Sequence, residues 1–328
     1  MNFLRQIRQH RLYKSALKKR RDRIKDENLA LIDRLIEAFG EKIPYLTSHR
    51  DKLAPPVQAA GRYFDKLINL IPGPVTLDPD RWDRDPVVHA MFVSGKEVGG
   101  LIAASKLLQQ FDRDSTANVA CALLTAQKKE KRISVTEQSG EIFRRDVWKK
   151  AVFFEEHRIT APNETLARAR VAVRYQLYAD LFSMAAEKIA ETNELKERLE
   201  AQHDELAAKM AFYPEGSDQK KEIGAVHDSV EAKLKAVKKS LSSPGDYVVH
   251  LLELLREPER HISAKTVFLK LDRMGIMADD ASAERIDAFS LAEFESSGGN
   301  KWVATWVNVG RSGFPAHSPP DGGNGGSK

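Results

Sequence analysis

Residues 218–241 read DQKKEIGAVHDSVEAKLKAVKKSL, and their spacing decides most of the fold. Ile223, Val226, Val230, Leu234, Val237 and Leu241 recur at intervals of three, four, four, three and four, close to the period that keeps one apolar stripe against a partner helix. Polar residues, Lys and Glu foremost, fill most positions between them. Upstream, Asn163 after Pro162 suits a helix N-cap, and Leu166, Val173, Leu177, Leu181, Met184, Ile189, Leu195, Leu199, Leu206 and Met210 continue a helical pattern. Pro214, Gly216 and Ser217 then make a turn with a cap. So short a turn leaves the two stripes to fold back on each other, and residues 163–241 are expected to form an antiparallel coiled-coil hairpin. At 1.5 Å per residue the first helix would extend roughly 70 Å. Because each helix buries only a narrow stripe, the distal half can project as a spacer or a contact arm.

Before the hairpin, helical spacing dominates residues 26–115. Ile24, Leu31, Ile32, Leu35, Ile36 and Phe39 define a first helix that stops at Gly40 and Pro44. A second is expected to start at Pro55-Pro56, where the missing N–H costs nothing, and to bury Val57, Phe64, Leu67, Ile68 and Ile71. A third stretch, from about Pro86 to Phe111, should break near Ser94, which has Glu97 three residues on in the spacing of a capping box.

The period changes to two around the hairpin. Val119, Cys121 and Leu123 alternate, Ser139-Gly140 resembles a turn between extended runs, and Ala151–Ile159 is a further run, so residues 116–160 read as a small β-meander. Ser243-Pro244-Gly245-Asp246 offers a cap, a first-turn proline and an acidic residue to a short helix through Leu255. Val267–Leu271, Ile286–Phe294 and Trp302–Val309 then give three strands of a second small sheet, with Gly298-Gly299-Asn300 as a turn. Residues 244–312 are expected to pack with the meander, and residues 313–328, rich in Pro, Gly, Ser and Asn, to be disordered. The expected class is α+β, predominantly α-helical: a helical body, the hairpin and two small antiparallel β regions.

The composition narrows function by exclusion. A single cysteine, Cys121, excludes an internal disulfide framework and a Cys-rich zinc site, and the apolar runs are too short for a spanning helix. The phosphate loop is missing, since Ser94-Gly95-Lys96 matches only its end, and Gly310-Arg311-Ser312-Gly313 has the wrong spacing for a serine-hydrolase elbow. The nine histidines are spread so that no two lie within one helical turn, and Glu155-Glu156-His157 alternates across a strand, read as a solvated edge. Four carboxylates, Asp78, Asp80, Asp83 and Asp85, surround Trp82 but lack the glycine and distant glutamate of a calcium loop. They read as helix caps or, through Trp82, Asp80 and Asp83, as a partner contact. Trp148, Trp302 and Trp306 read as sheet core.

Charge is the most function-like feature. The overall +5 hides a segregation: residues 1–25 hold ten cations against Asp22 alone, +9, which leaves −4 for the remaining 303 residues. Arg5, Arg8, Arg11, Lys14, Lys18, Lys19, Arg20 and Arg21 would bind an anionic surface, and Phe3, Leu4 and Ile7 cluster on a helical wheel as an apolar wedge. These features predict a cytoplasmic, non-enzymatic interaction or scaffold protein, peripheral at the inner face of a membrane. Its hairpin would meet a protein partner or a second copy, with no cofactor, metal or small-molecule substrate. One alternative is a nucleic-acid-binding accessory protein that adds Lys128, Lys129, Lys131 and Arg132, in the turn between strands, to the same basic segment. Another is a metal-dependent enzyme at Asp78–Asp85.

Overall fold

The alternating segments on either side of the hairpin build one sheet, not two small ones. Its strands are β1 (Val75–Thr76), β2 (Val119–Ser139), β3 (Ile142–Asn163), β4 (Ile262–Leu271), β5 (Asp287–Ser296) and β6 (Lys301–Gly310). The computed structural model describes residues 26–139, 142–278 and 286–311. The strands lie in the order β3-β2-β6-β5-β4, all antiparallel, with β1 parallel to β6. The join is the ladder from Val119↔Gly310 to Ala126↔Val303. Such a pairing between segments far apart in sequence leaves no local pattern to read.

The expected meander is two long strands. They pair down to Ser139↔Ile142, so the chain reverses where a turn was read, although Gly140 itself lies outside the described residues. The sheet curls into an antiparallel half-barrel. Beyond β4 the chain returns to β3: the Val152 N–H donates to the Gly275 carbonyl at 2.7 Å, and the Met277 N–H to the Lys150 carbonyl at 2.8 Å. Gly275 has φ +75°, and a Cβ there would stand 2.6 Å from the Val152 carbonyl oxygen, so this return needs glycine.

Three short helices pack on one face of the sheet: α1 (residues 26–39) and α2 (Arg50–Asn69) precede them, and they are α3 (Pro86–Met91), α4 (Gly95–Ala104) and α5 (Lys106–Asp114). Val88, Met91, Phe92, Val98, Ile102 and Leu108 form one core with Ala120, Ala122, Leu124 and Ala126 of β2 and with Leu291, Val303 and Val307. Alanines on β2 leave room for the helices. Residues 303–307 are all buried, as befits a strand covered on both faces.

The helical stretch breaks at Ser94, as expected, and again at Ser105; each hydroxyl accepts a backbone N–H, from Glu97 and Leu108 respectively. Glu97 reaches back to the Val93 N–H at 2.9 Å, one residue before the site of a capping box.

By contacts the described residues form two compact units: those of 64–174 with 259–311, and those of 26–63 with 175–258. The expected 26–115 region is thus shared between units. So is 244–312, since its helix falls in the second unit and its strands in the first. The second unit holds α1, most of α2, the longer part of α6 (Leu166–Ala211), and all of α7 (Asp218–Ser240) and α8 (Asp246–Arg256). Phe39 packs its ring on Phe182 at 5.5 Å, Tyr45 on Tyr247 at 5.5 Å, and the Tyr178 hydroxyl donates to the Val57 carbonyl at 2.6 Å.

Three helix starts differ from expectation. α2 begins at Arg50, ahead of Pro55-Pro56, and Arg50 grips Asp33 of α1 with two hydrogen bonds of 2.5 and 2.7 Å. α6 begins after Thr165, whose hydroxyl accepts the Arg168 N–H at 3.3 Å, while Asn163 ends β3. At α8 the cap runs backward: Asp246 accepts the Ser243 N–H at 2.7 Å, and Gly245, not Ser243, is the N-cap.

Candidate functional site

The longest element is α6, whose 46 residues span about 69 Å at 1.5 Å per residue. Six residues separate it from α7. Ser217 opens α7 by accepting the Lys220 N–H, and Gly216 takes φ +81° in the turn, so both do what their residue types suggested. Leu199 of α6 buries itself with Val230 and Leu234 of α7, and Leu195, Leu206 and Val237 pack against them. Glu200 pairs with Lys238 at 2.9 Å, His203 stacks near His227 at 4.5 Å, and the Met210 methyl lies beside Gly224. As the α6 positions rise from 200 to 210, their α7 partners fall from 238 to 224.

The seam differs from the reading in one place. Val226 is 45% exposed, and His227 takes the inward position, so the α7 stripe runs Ile223, His227, Val230, Leu234 and Val237. Outside it the faces are charged, with Lys235 on Glu231 at 2.7 Å and Lys209 on Glu205 at 2.6 Å. Beside the turn Phe212 stands 87% exposed.

The acidic cluster is arranged around helix starts. Asp78 accepts the Asp80 N–H at 3.0 Å, and Asp85 accepts the N–H groups of Val87 and Val88 at 2.8 and 3.3 Å, which caps α3. Asp80 and Asp83 are exposed, whereas Trp82 is half-buried against the sheet core and lies 5.2 Å from the His89 ring. His89 makes a very short contact through Nδ1 to the Asp287 carboxylate, and both side chains are buried. This pair ties α3 to the start of β5.

The alternation of Glu155-Glu156-His157 predicts a solvated edge, but the His157 side chain is only 8% exposed and stacks on Phe92 at 4.4 Å. Burial pushes its imidazole below the ordinary histidine range, and Glu97 and the Met91 backbone offset this only in part. Its Nε2 has no hydrogen-bond partner.

Of the three tryptophans read as core, Trp306 is fully buried and Trp302 stacks on Phe294 at 5.8 Å, but Trp148 is 69% exposed on β3. Lys128, Lys129, Lys131 and Arg132 lie within β2 and not in a turn. Lys128 is committed to Glu293 at 2.8 Å and Glu130 at 3.2 Å. Burial pushes the Cys121 thiol up, so it stays protonated and weakly nucleophilic.

Arg5, Arg8, Arg11, Lys14, Lys18, Lys19, Arg20 and Arg21, with Phe3, Leu4 and Ile7, lie outside the described residues. So does the 313–328 segment. Among the described residues no helix is long and apolar enough to cross a membrane. The chain matches no known protein family, no curated protein and no solved structure.

Proposed function

We propose that this is a non-enzymatic interaction protein, in which the basic segment 1–25 docks on an anionic membrane surface and the α6–α7 hairpin acts as a coiled-coil arm for a protein partner. The observation that carries the reading is the segregation of charge, +9 in the first 25 residues against −4 in the rest. At an acidic bilayer each nearby cation contributes on the order of 1 kcal/mol, and an apolar wedge of Phe3, Leu4 and Ile7 adds contact with the acyl boundary. The exposed Phe212 and the narrow seam of the hairpin support an arm that keeps surface in reserve for a partner. Commitment of Lys128 to Glu293 and Glu130 supports the membrane reading over a nucleic-acid one, because it removes a cation from that second surface.

Co-sedimentation with phosphatidylserine vesicles tests the docking half. The full chain should pellet with anionic vesicles and not with neutral phosphatidylcholine ones, and the 26–328 chain should stay in solution while its thermal unfolding stays almost unchanged. Undiminished vesicle binding by the shortened chain, or binding of duplex or single-stranded nucleic acid without vesicle binding, would overturn the reading.

A further inference from the structure

We infer that the distal half of the hairpin holds one transition-metal ion of the zinc type between His203 of α6 and His227, Asp228 and Glu231 of α7. The argument begins in the seam. His203 stands four residues after Leu199 and three before Leu206, and His227 stands four after Ile223 and three before Val230, so both occupy stripe positions that elsewhere carry aliphatic side chains. Their rings face each other at 4.5 Å with an interplanar angle of 37°. Two imidazoles opposite each other pack less apolar surface than two leucines would, and each ring carries a nitrogen that can bind a metal in its neutral form.

Carboxylates complete the donor set. His227 and Glu231 are four apart on α7 and therefore share a face, and the ligand atoms of His227, Asp228 and Glu231 all lie within 4.8 Å of one another. Zinc bonds to nitrogen and oxygen are about 2.0–2.2 Å, so tetrahedral ligand atoms sit roughly 3.5 Å apart. Asp228 is exposed and Glu231 half-buried, so their carboxylates have side-chain torsions free to close that difference, and His203 enters from α6 through its ring contact with His227.

The present partners are weak competitors. Glu231 pairs with Lys235 at 2.7 Å, His203 with Asp204 at 3.3 Å, and His227 with Asp228 at 3.7 Å, and ion pairs at an exposed rim contribute little. Two nitrogens and two carboxylate oxygens suit zinc better than magnesium or calcium, which take oxygen ligands. Four protein donors leave no open position, which makes the ion a clamp between α6 and α7 where the seam lacks aliphatic packing. Tests for metal spacing along the sequence miss the site, because only the fold of the hairpin brings residues 203 and 227 together.

Equilibrium dialysis of the full chain, stripped with chelator and then offered zinc or magnesium chloride, tests the site. The expected result is close to one zinc per chain, a higher melting temperature with zinc but not magnesium, and an unchanged elution volume. The H203L/H227L double variant restores an aliphatic seam, so it should keep its helicity and melting temperature while losing zinc uptake and the zinc-induced shift. E231Q should keep the helicity and weaken zinc binding about tenfold or more, the scale on which a metal's ligand surroundings act. Absence of zinc uptake, uptake undiminished in the double variant, or zinc that joins two chains would overturn the inference.

Discussion

Tyr178 and Gly61 compete for one small space. The buried Tyr178 hydroxyl donates to the Val57 carbonyl, and a Cβ on Gly61 would stand 2.5 Å from that oxygen but 3.7 Å from the ring carbon that bears it. Gly61→Ala alone is expected to cost about 1–3 kcal/mol by overpacking, and Tyr178→Phe about 1 kcal/mol by loss of the hydrogen bond. In the double variant the clash is gone and alanine gains about 1 kcal/mol of helix propensity over glycine. It should therefore be more stable than Gly61→Ala; denaturant unfolding of the four proteins measures the cycle, and additive costs would contradict the geometry. His157 is governed by a single neighbour in the same way. Glu155 pairs with Gln127 and Arg158 with Thr125, so β3 carries one residue more than β2 there, and Glu156 absorbs it at φ +52°. The bulge shifts the alternation, and Val152 and Phe154 are followed inward by His157 and Ile159. Simple alternation could not have found this, because the extra residue has no signature of its own in the sequence. Since burial lowers the folded-state pKa of His157, the unfolded chain takes up the proton first. The stabilising contribution is present above the unfolded value of about 6.5 and is lost as pH falls through it toward the folded one. His157→Phe should flatten the melting temperature over that window; an undiminished slope would assign the titration elsewhere.

Elements are joined by features of two kinds, and only one of them is legible locally. Caps are local: Ser94, Ser217 and Asp85 each sit a few residues from the N–H they accept, so their type and spacing announce them. The joining of β2 to β6 and the return of residues 275–277 to β3 depend on packing and on register across the chain, so short-range patterns point to two small sheets. The two long helices are legible because their period repeats over several turns, but the choice between Val226 and His227 at one inward position of α7 is not. On the sheet, an ionic network crosses several strands: Lys150 of β3 reaches Glu130 of β2 at 2.5 Å, Lys128 of β2 reaches Glu293 of β5 at 2.8 Å, and Lys265 of β4 reaches Glu293 at 3.3 Å. Burial pushes the Glu293 carboxyl up, but the Lys128 hydrogen bond and charge, with Lys265, hold it below the usual glutamate range. Its contribution is therefore full above the unfolded value of about 4.3 and is lost as pH falls through the depressed folded-state pKa. Glu293→Gln should cost about 2 kcal/mol at neutral pH, because Lys128 loses a buried partner, and should flatten the acid limb of thermal stability. An acid limb as steep as that of the parent protein would contradict the assignment.

At the scale of the molecule, one unit is a curled sheet filled by α3–α5 and the other is a set of helices that includes α7 and the longer part of α6. The sheet unit uses its titratable groups for structure: Asp78 and Asp85 cap, His89 meets Asp287, and Lys128 meets Glu293. The helical unit carries an exposed aromatic at the turn between two charged rods. An interaction arm requires that the stripe of α6 be covered by α7 of the same chain, so that a partner meets the outer faces and the tip. Oxidative cross-linking of L199C/L234C, in a protein whose Cys121 is replaced by serine, measures this most directly. The account predicts a disulfide within one chain, formed rapidly at low protein concentration and leaving the elution volume unchanged. Cross-linked dimers that grow with concentration, or two thiols that remain free under oxidation, would contradict it.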